Sequence, residues 1–346
     1  MFYAEKRIGI LPILCYDIRK ECSGKRSSLE ERRDIMILSV SRRTDVPACY
    51  SEWFFERLKE GFVYTRNPMN PKQVSRLELS PETVDCIVFW TKNPESMLAR
   101  LSELEPYPYY FQFTLTSYGT DIETNVPHKR EVMLPVFQKL SEKVGSKRVI
   151  WRYDPILFTK RYTPEYHVKA FRQMAEALRG CTEKCVISFV DTYAKNKKKL
   201  QELGVYDLPK PELEAFAKEL CEIAKENGMV MASCGEQMEL SHCGITHNAC
   251  IDKSLIEEII GYKLKGIKDK NQRSECGCME SIDIGTYHTC GNGCVYCYAN
   301  HSEAQVRENL RKYDVHSPML CGMIGEEDKV TERKLVSLKE EQLMLF

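Results

Sequence analysis

The chain has 346 residues, and its balance of hydrophobic (43%) and charged (29%) residues is that of a globular protein with one large domain or two ordinary ones. The formal net charge is zero, which excludes a global electrostatic attraction to nucleic acid or anionic lipid but leaves room for a local basic patch. No apolar run approaches the roughly 20 residues that span a bilayer, and the short apolar run 8–14 lacks a signal-peptide cleavage site. We therefore expect a cytoplasmic protein without a membrane partner.

Sixteen cysteines are a high number for a chain with no visible export signal. Several of them stand two to four residues apart, a spacing that favours metal ligation over disulfides because one metal centre needs several thiolates close together. This pattern predicts a reducing, oxygen-poor setting.

The composition along the chain predicts three segments. Residues 1–35 are rich in charge and are predicted to be an N-terminal extension, or an artefact of the choice of start site. Residues 36–325 are predicted to form the main domain, with a cysteine cluster at about 276–300. Residues 326–346 are predicted to be a C-terminal tail.

From Met36 onward, short apolar runs alternate with helical stretches. Continuous apolar runs are typical of parallel strands buried on both faces, and here they are Ile37–Val40, Cys86–Trp90, Tyr110–Leu115, Val149–Trp151, Cys185–Val190, Met229–Ala232 and, more weakly, Ser281–Ile284. Helices are predicted between them at Cys49–Glu60, from the Thr163 cap onward and at Pro211–Asn227, and a hairpin insertion at Phe62–Leu79.

This alternation predicts an α/β fold, either a TIM-like full or partial parallel (β/α) barrel of six to eight strands or a doubly wound open sheet. Polar side chains follow nearly every predicted strand. Arg42, Arg43 and Arg152 could clamp an anion there, or form salt bridges between strands. Taken together, the polar side chains that follow the strands favour a pocket that binds an anion or a zwitterion. The alternative is that polar residues simply begin the loops.

The most informative stretch is 276–300, in which five cysteines fall within 22 residues. Cys290, Cys294 and Cys297 have the spacing C-x3-C-x2-C, and Tyr296 precedes the last of them. Three thiolates on a tight loop can hold three irons of a [4Fe–4S] cube and leave the fourth iron open. The rival interpretation is one zinc ion held by four of the five cysteines Cys276, Cys278, Cys290, Cys294 and Cys297.

This motif resembles the signature of the radical S-adenosylmethionine (SAM) superfamily, with Tyr296 at the usual aromatic position. The resemblance implies a [4Fe–4S] cluster that reductively cleaves SAM, an electron donor of unknown identity and an unknown substrate. Cys234, Cys243, Cys250, Cys276 and Cys278 could supply ligands for a second, auxiliary cluster, with Cys276 and Cys278 the favoured ligands and Cys250 the next.

The chain contains the motifs SVSRRTD, FWTKNP, QR-x2-CGC, SIDIG and GCVYCYAN. These motifs carry its resemblance to an uncharacterised bacterial and archaeal family, number 1848 of the domains of unknown function. The superfamily motif normally follows the first barrel strand, whereas here it lies near the C-terminus. We therefore expect the strand at 281–284 to lie beside 37–40, as in a circular permutation of the barrel.

In that arrangement, Ser41–Asp45 would lie where the superfamily binds the SAM amino group, and Arg152 and Asp154 would face the same cavity. The resemblance thus implies cofactor-binding roles for Arg42, Arg43, Asp45, Arg152, Asp154 and Tyr296. Two alternatives remain open: a non-catalytic metal-binding protein, and a nucleic-acid repair or modification enzyme related to spore photoproduct lyase. The basic run 195–199 is the feature that keeps the second alternative open.

Overall fold

The computed structural model describes residues 36–333 and 338–340, so the predicted extension 1–35 lies outside the described residues. In chain order the strands are β1 (Met36–Val40), β2 (Phe62–Arg66), β3 (Gln73–Glu78), β4 (Val84–Thr91), β5 (Tyr109–Thr114), β6 (Val149–Ile156), β7 (Lys184–Phe189), β8 (Val230–Ser233), β9 (Thr246–His247), β10 (Ile282–Asp283) and β11 (Lys329–Glu332). The helices are α1 (Val46–Cys49), α2 (Ser51–Glu60), α3 (Leu134–Val144), α4 (Pro164–Ala177), α5 (Lys197–Glu202), α6 (Lys210–Glu226), α7 (Lys253–Ile260) and α8 (Glu303–Arg311). None of the helices in this part of the chain is long and apolar enough to cross a bilayer.

Eight strands form one parallel sheet in the order β10-β1-β4-β5-β6-β7-β8-β9. The apolar runs of the sequence fall on these strands, and the predicted parallel α/β fold is confirmed. The expected position of the strand at 281–284 beside 37–40 is also confirmed, because Leu38 of β1 pairs with Ile282 of β10 and Ser39 with Asp283. No pairing joins β9 to β10 among the residues described, so hydrogen bonds do not close the sheet into a barrel.

The two faces of the sheet are covered differently. Along β4, Ile87 and Phe89 point to one face, which packs against α2, α3, α4 and α6, while Cys86 and Val88 point to the other. That alternation is the period of a strand. The second face is covered by residues of the segment 250–279, including α7. The segment between β9 and β10 therefore fills the side of the sheet that the four helices leave free.

The predicted hairpin at 62–79 is confirmed as β2 and β3, which pair antiparallel. Residues Lys329–Glu332, which the sequence places in the tail, form β11 and pair in parallel with β3. An ion pair between Arg66 and Asp328 joins the same two regions. This part of the predicted tail is thus packed on the hairpin.

Candidate functional site

The cysteine loop begins directly after β10, at the carboxyl end of the parallel sheet. Asp283, the last residue of β10, accepts hydrogen bonds from the hydroxyls of Ser39 at 2.8 Å and Ser41 at 2.6 Å. It also accepts from the backbone N–H of Arg42 at 2.8 Å and of Gly285 at 2.9 Å. One carboxylate therefore holds the turn after β1 and the start of the cysteine loop together.

Gly285 is where these two segments come closest. A Cβ atom at this position would lie 2.0 Å from the Ser41 Oγ and 3.1 Å from the Thr44 Cγ2. Only glycine fits such an approach of backbone to side chain. The glycine in the sequence phrase SIDIG thus has a packing reason.

The cysteine loop is also attached to the segment that follows β5. The Val295 N–H donates to the Ile122 carbonyl at 2.9 Å, and the Asn125 side chain donates to the Gly291 carbonyl at 2.7 Å. Gly293 has a φ of +67°, and a Cβ there would lie 3.2 Å from the Thr124 Cβ. The loop is therefore fixed to the rest of the fold on two sides.

Cys290, Cys294 and Cys297 are all half-buried on this loop. Contact with Cys49 and burial raise the pKa of Cys290, and burial is the main reason that the pKa values of Cys294 and Cys297 are also raised. The backbone N–H of Asn292 opposes this shift at Cys290 by favouring the thiolate. The N–H groups of Ala299 and Asn300 do the same at Cys297. Binding a cation here would therefore release protons from thiols.

The three sulfurs influence one another through charge, and no direct contact joins them among the described residues. A single zinc ion needs its sulfurs about 3.8 Å apart, since each Zn–S bond is about 2.3 Å in a tetrahedral site. A cube offers a separate iron to each thiolate, so its ligands stand further apart. Three thiols on one loop are a donor set that a cluster could use, with one iron for each.

Cys49, a residue outside the C-terminal motif, lies against this site. Interaction with its thiol is the largest cause that raises the pKa of Cys290. Its Sγ is also 3.8 Å from the position that a Cβ on Gly291 would take. Cys49 lies about 240 positions before the motif, and its spacing gives no signal of this proximity.

A buried charged network adjoins Cys294. Glu123 is 1% exposed and accepts from the Lys92 Nζ at 2.6 Å, from the Thr116 hydroxyl at 2.9 Å and from Lys129 and Tyr296. Burial opposes its ionisation, but the two lysines outweigh burial and lower the pKa of Glu123 to about 2. The sequence gives no signal for Glu123 or Lys129.

Among the predicted cofactor-binding residues, Asp45 and Tyr296 lie at this site. Asp45 accepts from the Lys92 N–H at 2.7 Å and from the Asn292 side chain at 2.9 Å, and burial raises its pKa. The Tyr296 ring lies 5.7 Å from the Lys92 Nζ. Both residues therefore connect the cysteine loop to the end of β4.

Arg42 and Arg43 point to different neighbours. Arg42 donates to the Ser281 hydroxyl at 2.9 Å and lies over the Trp90 ring at 5.4 Å. Arg43 lies over the Tyr287 ring at 5.2 Å. The two guanidinium groups thus have separate neighbours.

Arg152 and Asp154 are paired with each other and lie beside a second group of cysteines. The Arg152 Nε donates to the Asp154 Oδ1 at 3.0 Å, and its Nη1 donates to the Cys250 Sγ at 2.8 Å. The Cys250 Sγ lies 3.1 Å from that of Cys234. The Cys278 Sγ lies 3.2 Å from the backbone nitrogen of Cys250.

This second group contains the favoured auxiliary candidates Cys250, Cys276 and Cys278, together with the further candidate Cys234. Cys243 is not part of it, because its thiol faces the Glu214 carbonyl in the helix-covered core. Within residues 36–333 and 338–340, no set of three or more histidine, cysteine, aspartate or glutamate side chains is already arranged to hold a metal ion. Both cysteine groups supply suitable donors, and ligation at either requires side-chain adjustment.

Comparison with curated proteins finds no match to this chain. One family model matches residues 37–299, which include the sheet from β1 to β10, both cysteine groups and the Asp283 turn. The matched region covers well over half of the chain. The chain therefore belongs to the family described as Domain of unknown function (DUF1848).

Proposed function

We propose that this protein is a radical-SAM-type enzyme, with Cys290, Cys294 and Cys297 as the ligands of a [4Fe–4S] cluster. The observation that carries the proposal is the position of β10 beside β1, with the cysteine loop following β10 at the carboxyl end of the sheet. In parallel α/β folds this end holds the active site. A cluster with one open iron supplies the one-electron reduction that cleaves SAM.

The strand order supports a partial barrel that is permuted relative to the superfamily. From β4 to β9 each strand lies beside the next one in the chain, as in a barrel, and a doubly wound sheet would reverse direction. In this proposal β10 takes the place of the first barrel strand. The loop after it then occupies the same position as the superfamily motif.

The side chains near the loop have defined tasks in this proposal. Asp283 fixes the start of the loop, and Asp45 fixes Asn292 within it. The pair of Lys92 and Glu123 lies beneath Tyr296, next to Cys294. Together they exclude water from the inner side of the cluster and hold the loop in one arrangement.

The test is anaerobic reconstitution with iron and sulfide, followed by reduction with dithionite in the presence of SAM. The wild type is expected to bind four irons and four sulfides at this site and to release 5′-deoxyadenosine. Cys294→Ala is expected to lose both, whereas Cys181→Ala, a half-buried thiol outside both cysteine groups, is expected to keep both. A wild-type protein that binds iron and sulfide but never cleaves SAM would contradict the enzyme assignment and favour a non-catalytic metal-binding role.

A nucleic-acid substrate is a second candidate, and the position of the basic run 195–199 supports it. The Lys195 Nζ lies 6.0 Å from the Tyr287 ring of the cysteine loop, and Tyr193 and Tyr298 are neighbours with 36% and 44% exposure. Basic side chains beside exposed aromatic rings are typical of single-strand binding. Salt-dependent binding of single-stranded DNA that weakens in Lys197→Ala/Lys198→Ala would support this candidate, and equal binding by the variant would contradict it.

A further inference from the structure

The second group of cysteines is built from parts of the chain that lie far apart in sequence. Cys234 follows β8, Cys250 follows β9, and Cys276 and Cys278 precede β10. Because β9 and β10 are the two edges of the large sheet, these four thiols bring both edges to one place. Bonds that involve these thiols would link β9 to β10, the two edge strands that no hydrogen bonds join in the described part of the chain.

The four thiols lie in one neighbourhood. The Cys234 Sγ lies 3.1 Å from the Cys250 Sγ, and the Cys278 Sγ lies 3.2 Å from the backbone nitrogen of Cys250. Cys276 precedes Cys278 by two residues. Four thiolates are the full ligand set of a structural zinc site, and the side chains would adjust to bring the sulfurs to about 3.8 Å from one another on binding.

The hydrogen bonds around these sulfurs favour thiolates. The backbone N–H groups of Cys250 and Ile251 point to the Cys278 Sγ at 3.2 and 3.4 Å. The Arg152 Nη1 and the Asn248 Nδ2 point to the Cys250 Sγ at 2.8 and 3.5 Å. N–H donors of this kind orient metal-bound thiolates and offset their charge. Apolar packing alone gives no reason for four donors to converge on two buried sulfurs.

We propose that Cys234, Cys250, Cys276 and Cys278 bind one zinc ion, which joins the loops after β8 and β9 to the segment before β10. Each thiol loses its proton on binding, and four thiolates complete a tetrahedral sphere. The site is independent of the proposed cluster at Cys290, Cys294 and Cys297, and of whether that cluster cleaves SAM. It assigns the C-x-C pair to a single zinc ion in place of an auxiliary iron–sulfur cluster.

The experiment uses the full chain with Cys290, Cys294 and Cys297 replaced by alanine, so that only the second group remains as a built thiol site. The protein is stripped with chelator under reducing conditions and dialysed against zinc chloride alone, and bound zinc is then measured by elemental analysis. We expect one zinc per chain. Cys234→Ser or Cys276→Ser should weaken zinc binding at least about tenfold, and Cys181→Ser should not change it.

Three outcomes would overturn the proposal: no zinc in the parent chain, equal zinc affinity in Cys234→Ser and the parent, or iron with inorganic sulfide at these four cysteines instead of a single ion. A disulfide between Cys234 and Cys250 that persists under the reducing conditions would also overturn it. If the triple alanine chain does not fold, the comparison is made in the wild-type background. There, each serine variant must lose one equivalent of zinc relative to Cys181→Ser.

Discussion

Ser39 and Asp283 face each other across β1 and β10, and the Ser39 hydroxyl donates to the Asp283 carboxylate at 2.8 Å. The two residues are 244 positions apart in the chain. The same carboxylate holds Ser41 and the N–H of Gly285. The Asp283 side chain thus ties the turn after β1 to the point where the proposed cluster loop begins.

Replacing Asp283 by asparagine should therefore weaken both the fold and the site. The change removes the charge and turns one acceptor into a donor that faces other donors, which costs about 1–3 kcal/mol. We expect a lower free energy of unfolding in urea and less bound iron after reconstitution. Asp207→Asn, at an exposed position, is the matched control. Equal stability of the Asp283 variant and the control would show that the turn is held by backbone pairing alone.

Glu123→Gln should be among the more destabilising single changes in the protein. The variant leaves Lys92 and Lys129 without their buried counter-charge, and removal of one partner of a buried ion pair costs about 3–5 kcal/mol. Chemical denaturation at pH 7 measures this loss, and the exposed Glu131→Gln provides the control. A loss below about 1 kcal/mol would mean that water reaches the two lysines.

The same carboxylate predicts a direction of acid sensitivity. Its pKa in the folded protein, about 2, is below the ordinary value of 4.5, so its contribution to stability is complete above pH 4.5. That contribution decreases as the pH falls toward 2. The difference in stability between the wild type and Glu123→Gln should thus shrink between pH 4.5 and 2, measured by denaturation at fixed ionic strength. A difference that stays constant over this range would contradict the ion-pair account.

The strands were predictable because each buried strand is a continuous apolar run, and Ile87 and Phe89 are as buried as Cys86 and Val88. The triplet of Cys290, Cys294 and Cys297 was visible because its cysteines are neighbours in sequence. Cys49 and Glu123 gave no sequence signal of a site, since each reaches its partners only through the packing of distant strands. β9 has two residues, too few for any periodic signal.

Gly293→Ala should disturb the cysteine loop by more than the free-energy cost of placing a side chain on a left-handed backbone conformation. A left-handed residue that gains a Cβ loses about 1–2 kcal/mol, and Gly204→Ala reports that cost alone because its φ is +65° and nothing lies within 4 Å. At Gly293 the new Cβ also meets Thr124 and Asn125 at 3.2 Å. We expect Gly293→Ala to retain less iron than Gly204→Ala at similar thermal stability, measured after reconstitution and desalting. Equal iron retention in both variants would indicate that the contact with Thr124 does not position the loop.

His167 predicts a second pH effect, far from the cysteines. The ring is fully buried, its Nε2 lies 3.0 Å from the Leu157 carbonyl, and its Nδ1 lies 2.7 Å from the Tyr153 hydroxyl. A carbonyl can only accept, so Nε2 carries the proton and Nδ1 accepts from Tyr153. Protonation of Nδ1 would turn this acceptor into a donor toward the Tyr153 oxygen and place a charge among aromatic rings.

Burial accordingly lowers the pKa of His167 to about 4, against an ordinary value of 6.5. The unfolded chain binds the proton first, so the contribution of neutral His167 is complete above pH 6.5 and is lost as the pH falls toward 4. The loss amounts to about 3 kcal/mol at 1.36 kcal/mol for each unit of pKa. His167→Gln cannot titrate, and its urea-unfolding free energy should fall less steeply than that of the wild type between pH 6.5 and 4. The exposed His242→Gln serves as the control, and parallel profiles for wild type and His167→Gln would mean that His167 is protonated in the folded protein.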